Sequence, residues 1–599
     1  MEALMQGHSA AAVFPTGAGK SLCYQLPAVL LEGVTLVVSP LLALMKDQVD
    51  ALTARGIAAA RLDSTLSPED YGAILSQARR GELKLLYVAP ERFQNERFRQ
   101  SLGDLSISLF AVDEAHCVSE WGHNFRPDYL KLAAAAKACG AQRVLALTAT
   151  ATPRVLDDIC RTFAIEHKVR TPFYRSNLIL GSTTVGSQAD KMHHLRQALA
   201  DGPTVVYVTL QRSAEDLAEK LLALGHDARP YHAGLDPELR AATQDWFLTS
   251  RSGIVVATIA FGMGIDKPDI RAIIHFDPPK SMESYSQEIG RAGRDGQDSR
   301  CSFLYHPPDR IPLENFVYGD TPTVEALRSL LEDLFTRQRE LVLNLYEMSS
   351  AHDIRPLVLR TLLTYLELDG YLEEQTPIYT SYQFKALLTS REILDSLQGE
   401  PREFLAGVFR QAVKKRIWLT IDLEAAAQAL DSTRDRIVRA LDFCEQRGWL
   451  EVRASDLRHR YRVVNPPTSL QGLAEEMDQR AQQREKAEIA RLEQVLALAT
   501  QPGCLAGRLS EHFGESLPGG CGRCSDCTGQ RVPEVLSVST AEFRLPSLPP
   551  ELADHPRLAA RFLCGVSSPA LGRGKWTRDP RFGSLSHVPF QEVFGRLQS

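Results

Sequence analysis

Apolar and polar positions follow two regimes along this chain. Up to residue 315, short runs of β-branched and aliphatic residues recur between longer stretches with helical spacing. The runs Val34–Val38, Leu83–Tyr87, Leu109–Val112 and Val144–Leu147 form one set. The runs Thr204–Val208, Ile254–Ala257, Ala272–Phe276 and Cys301–Tyr305 form a second. Nearly continuous apolar strands alternating with helices predict parallel sheets covered on both faces. Two α/β lobes are therefore expected, 1–168 and 169–315, with the boundary near Lys168–Asn177. Ligands of such sheets bind beyond the C-terminal strand ends.

From residue 316 the pattern turns helical, and two segments echo each other at an offset of 78: Leu359, Leu363, Gly370 and Leu372 answer to Ile437, Leu441, Gly448 and Leu450. Each reads as an amphipathic helix, a Gly stop and a short strand, which is how a winged-helix unit ends. Two such units are expected, 316–400 and 401–467. Residues 470–498 spell a long charged helix, with Leu473, Met477, Ala481, Leu492 and Val495 available to one face. Its heptads do not persist, so it reads as a strut and not as a coiled-coil dimer. The strut and a cysteine cluster make up 468–530, and a linker with a basic module fills 531–599.

With 599 residues and 44% apolar content, several packed domains are accessible. No apolar run reaches membrane-spanning length, and the N-terminus lacks a signal-peptide order of residues. A soluble monomer of the cytoplasm, at the bacterial nucleoid, or of a eukaryotic nucleus is expected. Net charge is −6, but residues 408–462 hold twelve Lys/Arg against eight Asp/Glu, and 556–599 hold seven against two. Local patches rather than whole-chain charge attract phosphates.

The chemistry concentrates in four places. Phe14-Pro15-Thr16-Gly17-Ala18-Gly19-Lys20-Ser21 precedes a helical stretch. Gly17 and Gly19 let backbone N–H groups close on phosphates, Lys20 reaches the β/γ oxygens and Ser21 supplies a hydroxyl to Mg²⁺. Phe14 stands where this pattern usually begins with glycine. After a strand-like run, Asp113 is placed to hold Mg²⁺ and Glu114 to orient water, the needs of phosphoryl transfer. The chain continues through Trp121, Phe125 and Arg126, side chains suited to stacking on unpaired bases. In Gln287-Glu288-Ile289-Gly290-Arg291-Ala292-Gly293-Arg294, a helical reading puts Arg291 and Arg294 on one face, able to meet a γ-phosphate, and the two glycines suggest close approach to a neighbour. Cys504, Cys521, Cys524 and Cys527 have the spacing of a closed four-thiolate Zn²⁺ site, structural and not catalytic. The other seven of the eleven cysteines read as core residues.

These segments, with Thr148-Ala149-Thr150 and Gly262-Met263-Gly264-Ile265-Asp266, resemble the ordered motifs of superfamily 2 helicases. Ser39-Pro40-Leu41-Leu42 and the aromatic loop are similar to those of RecQ DNA helicases. The order of the C-terminal modules resembles the branch of the fourth human RecQ paralogue and its bacterial counterparts. The resemblance implies ATP-driven 3′→5′ movement on single-stranded or forked DNA in repair and recombination, with ATP, Mg²⁺ and Zn²⁺. It implies Gln287, Arg291 and Arg294 at the hydrolysis site, Gly264 and Asp266 beside the nucleotide, and Ser39 and Thr258 on strand phosphates. It also implies that Trp121, Phe125 and Arg126 couple DNA to hydrolysis. The family's adenine-reading aromatic and Gln have no counterpart ahead of the phosphate loop, so weak discrimination between ATP and GTP is expected. Two other readings are a DNA-binding or strand-annealing scaffold and an RNA helicase. Far downstream of the other motifs, the zinc module is expected to be separable from the motor.

Overall fold

The computed structural model describes residues 1–17, 19–63, 66, 68–94, 96–119, 126–262, 265–336, 339–415, 417–530 and 543–598. Two compact units make up the chain, one of them residues 324–475 with 94–96 and the other the remainder.

In the larger unit, strands β1 (Ala10–Val13), β2 (Val34–Val38), β3 (Ala59–Leu62), β4 (Leu85–Val88), β5 (Ile107–Val112), β6 (Val144–Thr148) and β7 (His167–Arg170) form one sheet. Its order is β3-β4-β2-β5-β6-β1-β7, parallel throughout. Strands β8 (Leu178–Thr184), β9 (Thr204–Tyr207), β10 (Ala228–Tyr231), β11 (Ile254–Ala257), β12 (Ala272–His275) and β13 (Ser299–Tyr305) form the second, parallel in the order β10-β11-β9-β12-β13-β8. Central strands such as β2, β5 and β11 are buried at every position, as strands covered on both faces must be. Four of the five strands missing from the apolar pattern have a common cause. β3, β7, β8 and β10 are sheet edges, with fewer buried positions, and all four residues of β7 are exposed. β1 is interior, but three of its four residues are alanines.

Residues 171–177 strap the two sheets together. The helix Leu470–Thr500 runs the length expected of the strut, and its Leu492, Val495, Leu496 and Ala499 sit in the core of the second lobe. So do Leu505, Leu509 and Phe513 of the cysteine module, alongside Tyr285 and Ile289. The expectation of a separable zinc module is thereby corrected: distance along the chain hid a shared core. The C-terminal module forms its own core around Phe562, Leu563 and Phe590 and packs on Tyr318. Its Arg561 is buried and donates to the carbonyls of Tyr318 and Thr321. None of the described helices is long and apolar enough to cross a membrane.

The smaller unit is not purely helical. It holds β14 (Glu340–Leu343), β15 (Leu372–Ala386), β16 (Val413–Lys415), β17 (Trp418–Asp422) and β18 (Leu450–Val463) in one antiparallel sheet, order β14-β18-β15-β17-β16. The repeat is visible as strand–helix–helix–strand twice over: β14, Leu345–His352, Pro356–Leu368 and β15, then β17, Leu423–Ala429, Arg434–Gln446 and β18. The halves are not independent units divided at 400. β15 and β18 pair from Leu372↔Val463 to Ala386↔Leu450, with a register shift between Gln375 and Ile378. β14 pairs with the far end of β18, and β17 with the far end of β15. Each long strand thus serves its own half at its start and completes the other half's sheet at its end.

Candidate functional site at the phosphate loop

Gly17 and Gly19 have φ of +85° and +76°, conformations that residues bearing a Cβ rarely adopt. They turn the chain from β1 into the helix Leu22–Leu30, whose N-terminus faces the loop. Lys20 Nζ lies 3.6 Å from Glu114 Oε1. Burial alone would lower the lysine pKa, but the Glu114 and Asp113 carboxylates outweigh it and raise it. Asp113 follows β5, and burial together with the adjacent Glu114 pushes its pKa up to about 6, against the pull of Lys20. Glu114 adopts φ 49°, ψ 43°, a left-handed conformation that costs a non-glycine residue about 1–3 kcal/mol and clusters at functional sites. Nothing in the sequence pattern pointed to that strain.

His116 Nδ1 sits 2.9 Å from Thr148 Oγ1 and 3.3 Å from Glu114 Oε2, so the acid pair is tied to the end of β6. Burial disfavours the imidazolium, but Cys117 and Glu114 more than offset this and push the His116 pKa up to about 10.

Residues after the aromatic loop bond back to the segment that carries the acids. The N–H of Arg126 donates to the Cys117 carbonyl (3.1 Å), and the Tyr129 hydroxyl donates to the Asp113 carbonyl (3.1 Å). Trp121 and Phe125 lie outside the described residues, as does Gly264. Ser39 is 2% exposed and its hydroxyl points to Asp113 Oδ2 at 3.5 Å. The side chain expected on a strand phosphate thus faces Asp113 beside the acid pair. Thr258 is also buried, at 8% exposure, at the end of β11.

The second lobe reaches the phosphate loop through the arginine segment, which needs a correction. The helix Met282–Ile289 ends before both arginines, so they share a turn and not a helical face. Gly290 and Gly293 end the helix, and Gly293 has φ +52°. A Cβ on Gly290 would lie 2.9 Å from Thr16 Cβ, the close approach that the glycines implied. A Cβ on Gly17 would lie 3.2 Å from Arg294 Cγ, so the Arg294 side chain runs along the phosphate loop. Arg294 Nη1 donates to Asp266 Oδ1 (2.5 Å) and to the Ile265 carbonyl (3.2 Å), and burial lowers its pKa. Arg291 is 5% exposed and donates to the Gly262 carbonyl. Gln287 is half-buried on the helix. Among the described residues, the buried Nε atoms of Arg291 and Arg294 have no hydrogen-bond partner. Cationic donors left unspent beside a glycine loop fit a polyphosphate, and the Asp113 carboxylate fits its Mg²⁺.

Arg175 was not anticipated. Its guanidinium donates to the carbonyls of Gly290 (3.0 Å), Ala292 (2.9 Å) and Gly293 (2.6 Å), and Asn177 Nδ2 donates to Gly293 as well (2.8 Å). No local pattern marks a strap residue as the brace of a turn more than a hundred positions away.

The four cysteine sulfurs all lie within 4.8 Å of one another. Cys521 and Cys527 are 3.9 Å apart, and Cys504 and Cys524 4.0 Å. A tetrahedron with ~2.3 Å Zn–S bonds has S···S edges of about 3.8 Å, so the set fits Zn²⁺. The N–H groups of Gly507 and Cys521 donate to Cys504 Sγ, each at 3.2 Å, as suits a thiolate.

Residues 1–159 match the DEAD/DEAH box helicase family, 190–296 the helicase conserved C-terminal domain, and 468–528 the RecQ zinc-binding family. The chain is 30% identical to ATP-dependent DNA helicase Q-like 5 of Arabidopsis thaliana, over 100% of this chain and 68% of that protein. It is 41% identical to the probable ATP-dependent DNA helicase RecS of Bacillus subtilis, over 56% of this chain and 68% of that protein. With ATP-dependent DNA helicase RecQ of the same organism it shares 42% identity, over 54% of this chain and 55% of that protein. A glycine loop, an acid pair and an arginine turn meeting between two parallel sheets, a four-thiolate cluster, and these relatives lead to one conclusion: the chain belongs to the RecQ family of ATP-dependent DNA helicases.

Proposed function

We propose that the chain moves 3′→5′ along single-stranded DNA and opens forked duplexes in repair and recombination. It does so as a monomer of the cytoplasm, at the bacterial nucleoid, or of a eukaryotic nucleus. In this reading Gly17, Gly19, Lys20 and Ser21 hold the ATP phosphates, Asp113 holds Mg²⁺ and Glu114 orients the attacking water. Bound Mg²⁺ supplies charge neutralisation at the phosphates. Lys20 exchanges its carboxylate neighbour for phosphate oxygens, and the Arg294 guanidinium meets charge developing on the γ-phosphoryl group.

The observation that supports coupling to a strand is that residues following the aromatic loop bond back to the segment after β5, Arg126 to the Cys117 carbonyl and Tyr129 to the carbonyl of Asp113. A base stacking on that loop would pull on the carbonyl of the residue that holds the metal. The test is ATP-driven opening of partial duplexes carrying a 3′ or a 5′ single-stranded tail. Opening of the 3′-tailed substrate alone is expected. Preference for the 5′-tailed one would overturn the polarity, and opening of neither would overturn the motor reading.

A further inference from the structure

We propose that Glu515, in the zinc module, is a positioning residue for ATP hydrolysis: it fixes the strap between the lobes and, through Arg175, the turn that carries Arg294. This rests on the hydrolysis reading above and goes beyond it.

The strap leaves β7 at Arg170 and enters β8 at Leu178. A short crossover cannot pair its own backbone groups, so something else must satisfy them. Here Phe173 and Tyr174, successive residues, both donate their N–H groups to Glu515 Oε2, at 2.6 and 3.1 Å. Two consecutive N–H groups closing on one carboxylate oxygen make a small anion nest, with charge-assisted bonds.

The two residues before Glu515 fix the same place. The Phe513 ring stacks on Phe173 with centroids 4.2 Å apart, and the Phe513 carbonyl accepts from the Arg170 guanidinium. Gly514 has φ +77°, and a Cβ there would lie 2.8 Å from Pro153 Cγ in the first lobe. Phe513, Gly514 and Glu515 therefore touch the first lobe and the strap at once. Behind them, His512 Nε2 lies 2.9 Å from Glu283 Oε1 on the helix that leads into the arginine turn.

One residue beyond the gripped N–H of Tyr174, Arg175 holds the carbonyls of Gly290, Ala292 and Gly293. Arg294 follows directly and lies along Gly17. Each link is a hydrogen bond or a van der Waals contact. Glu515 is neither a phosphate-loop residue nor one of the four clustered cysteines; it acts through Arg175, setting where the guanidinium of Arg294 stands relative to the phosphate loop. A misplacement there is felt in the chemical step and not in ground-state binding.

The experiment uses the full zinc-loaded chain. Glu515→Ala should lower DNA-stimulated kcat for ATP about tenfold. KM for ATP should stay within about twofold, since the phosphate-loop residues are untouched. Zinc content should remain that of the wild type. Glu515→Gln, whose amide oxygen still accepts, should restore most of the rate. Hydrogen exchange at the Phe173 and Tyr174 amides should accelerate in Glu515→Ala alone, an activity-independent reading of the grip. Arg175→Ala should lower kcat by itself, and the double variant should be no worse than the more impaired single, because both lie on one path. An active wild type with unchanged kcat in Glu515→Ala would overturn the proposal alone. So would additive losses in the double variant, or equal loss of rate and zinc in the Ala and Gln variants. A wild-type chain no faster than Lys20→Ala would remove the hydrolysis reading, and the positioning role with it.

Discussion

Gly290→Ala offers a sharp test of how the two lobes meet. Gly290 has φ −62° and ψ −9°, a conformation open to alanine, so the backbone does not resist the change. The methyl group would lie 2.9 Å from Thr16 Cβ and 3.1 Å from Thr16 Oγ1, and 3.0 Å from the Ser286 carbonyl oxygen on its own helix, which must give by a few tenths of an ångström. Carbon pairs rest at about 3.5–4.0 Å, so the turn and the phosphate loop must part by about 1 Å. Arg294 sits four residues along that turn, against Gly17, the neighbour of Thr16. A misplacement of about 1 Å in catalytic geometry costs on the order of 100-fold in rate. That corresponds to about 2.7 kcal/mol of transition-state stabilisation. The fold itself is little affected by the dihedrals, because alanine adopts the αR conformation that Gly290 holds at the helix end. The assay is steady-state ATP turnover with and without single-stranded DNA, alongside a melting curve and binding of a fluorescent nucleotide. The expected result is kcat lowered about 100-fold at a nearly unchanged Tm. Wild-type turnover in a folded Gly290→Ala protein would refute the reasoning, since the lobes would then react without this contact.

Lys20→Ala and Glu114→Gln should each abolish ATP turnover while single-strand binding, measured by anisotropy, persists; turnover in either would remove the site. Trp121→Ala and Arg126→Ala should lower DNA stimulation more than DNA affinity, since stacking is worth only ~1–3 kcal/mol per base within a distributed footprint. Unchanged stimulation would reduce the loop to packing. Elemental analysis should find one Zn²⁺ per chain, and Cys524→Ser should cost both solubility and ATP turnover, because Leu505, Leu509 and Phe513 share a core with Tyr285 and Ile289. Full turnover in zinc-free protein would contradict that shared core.

The readable and unreadable parts of this molecule divide by the range of the signal. Lys20, Asp113, Glu114 and the four cysteines announce themselves because their chemistry needs given residue types at short fixed spacings. Gly290 and Gly293 were legible as a sign of close approach but not as a helix end, and so the two arginines were assigned a shared face that they do not have. Arg175 and Glu515 left no trace, since a lone Arg in a strap and a lone Glu after a helix look like ordinary surface residues. Their partners lie more than a hundred and more than three hundred positions away. The edge strands were missed because an edge does not have to be apolar.

The exchange of long strands in the smaller unit also has a consequence during synthesis. When Ala386 leaves the ribosome, the first half has its helices but lacks the strand that completes its sheet. That strand is the far end of β18, and Val463 emerges only 77 residues later. At ~5–20 residues per second the wait is roughly 4–15 s. Through that interval the edge of β15 that will meet β18 stands unpaired, although β17 can pair with its far end once made, and such an edge is the kind of surface that recruits foreign strands. A stop codon or a protease cut between the two strands would make the wait permanent for both halves. The two halves are therefore not spare parts of one another: neither sheet is complete until both long strands have been made.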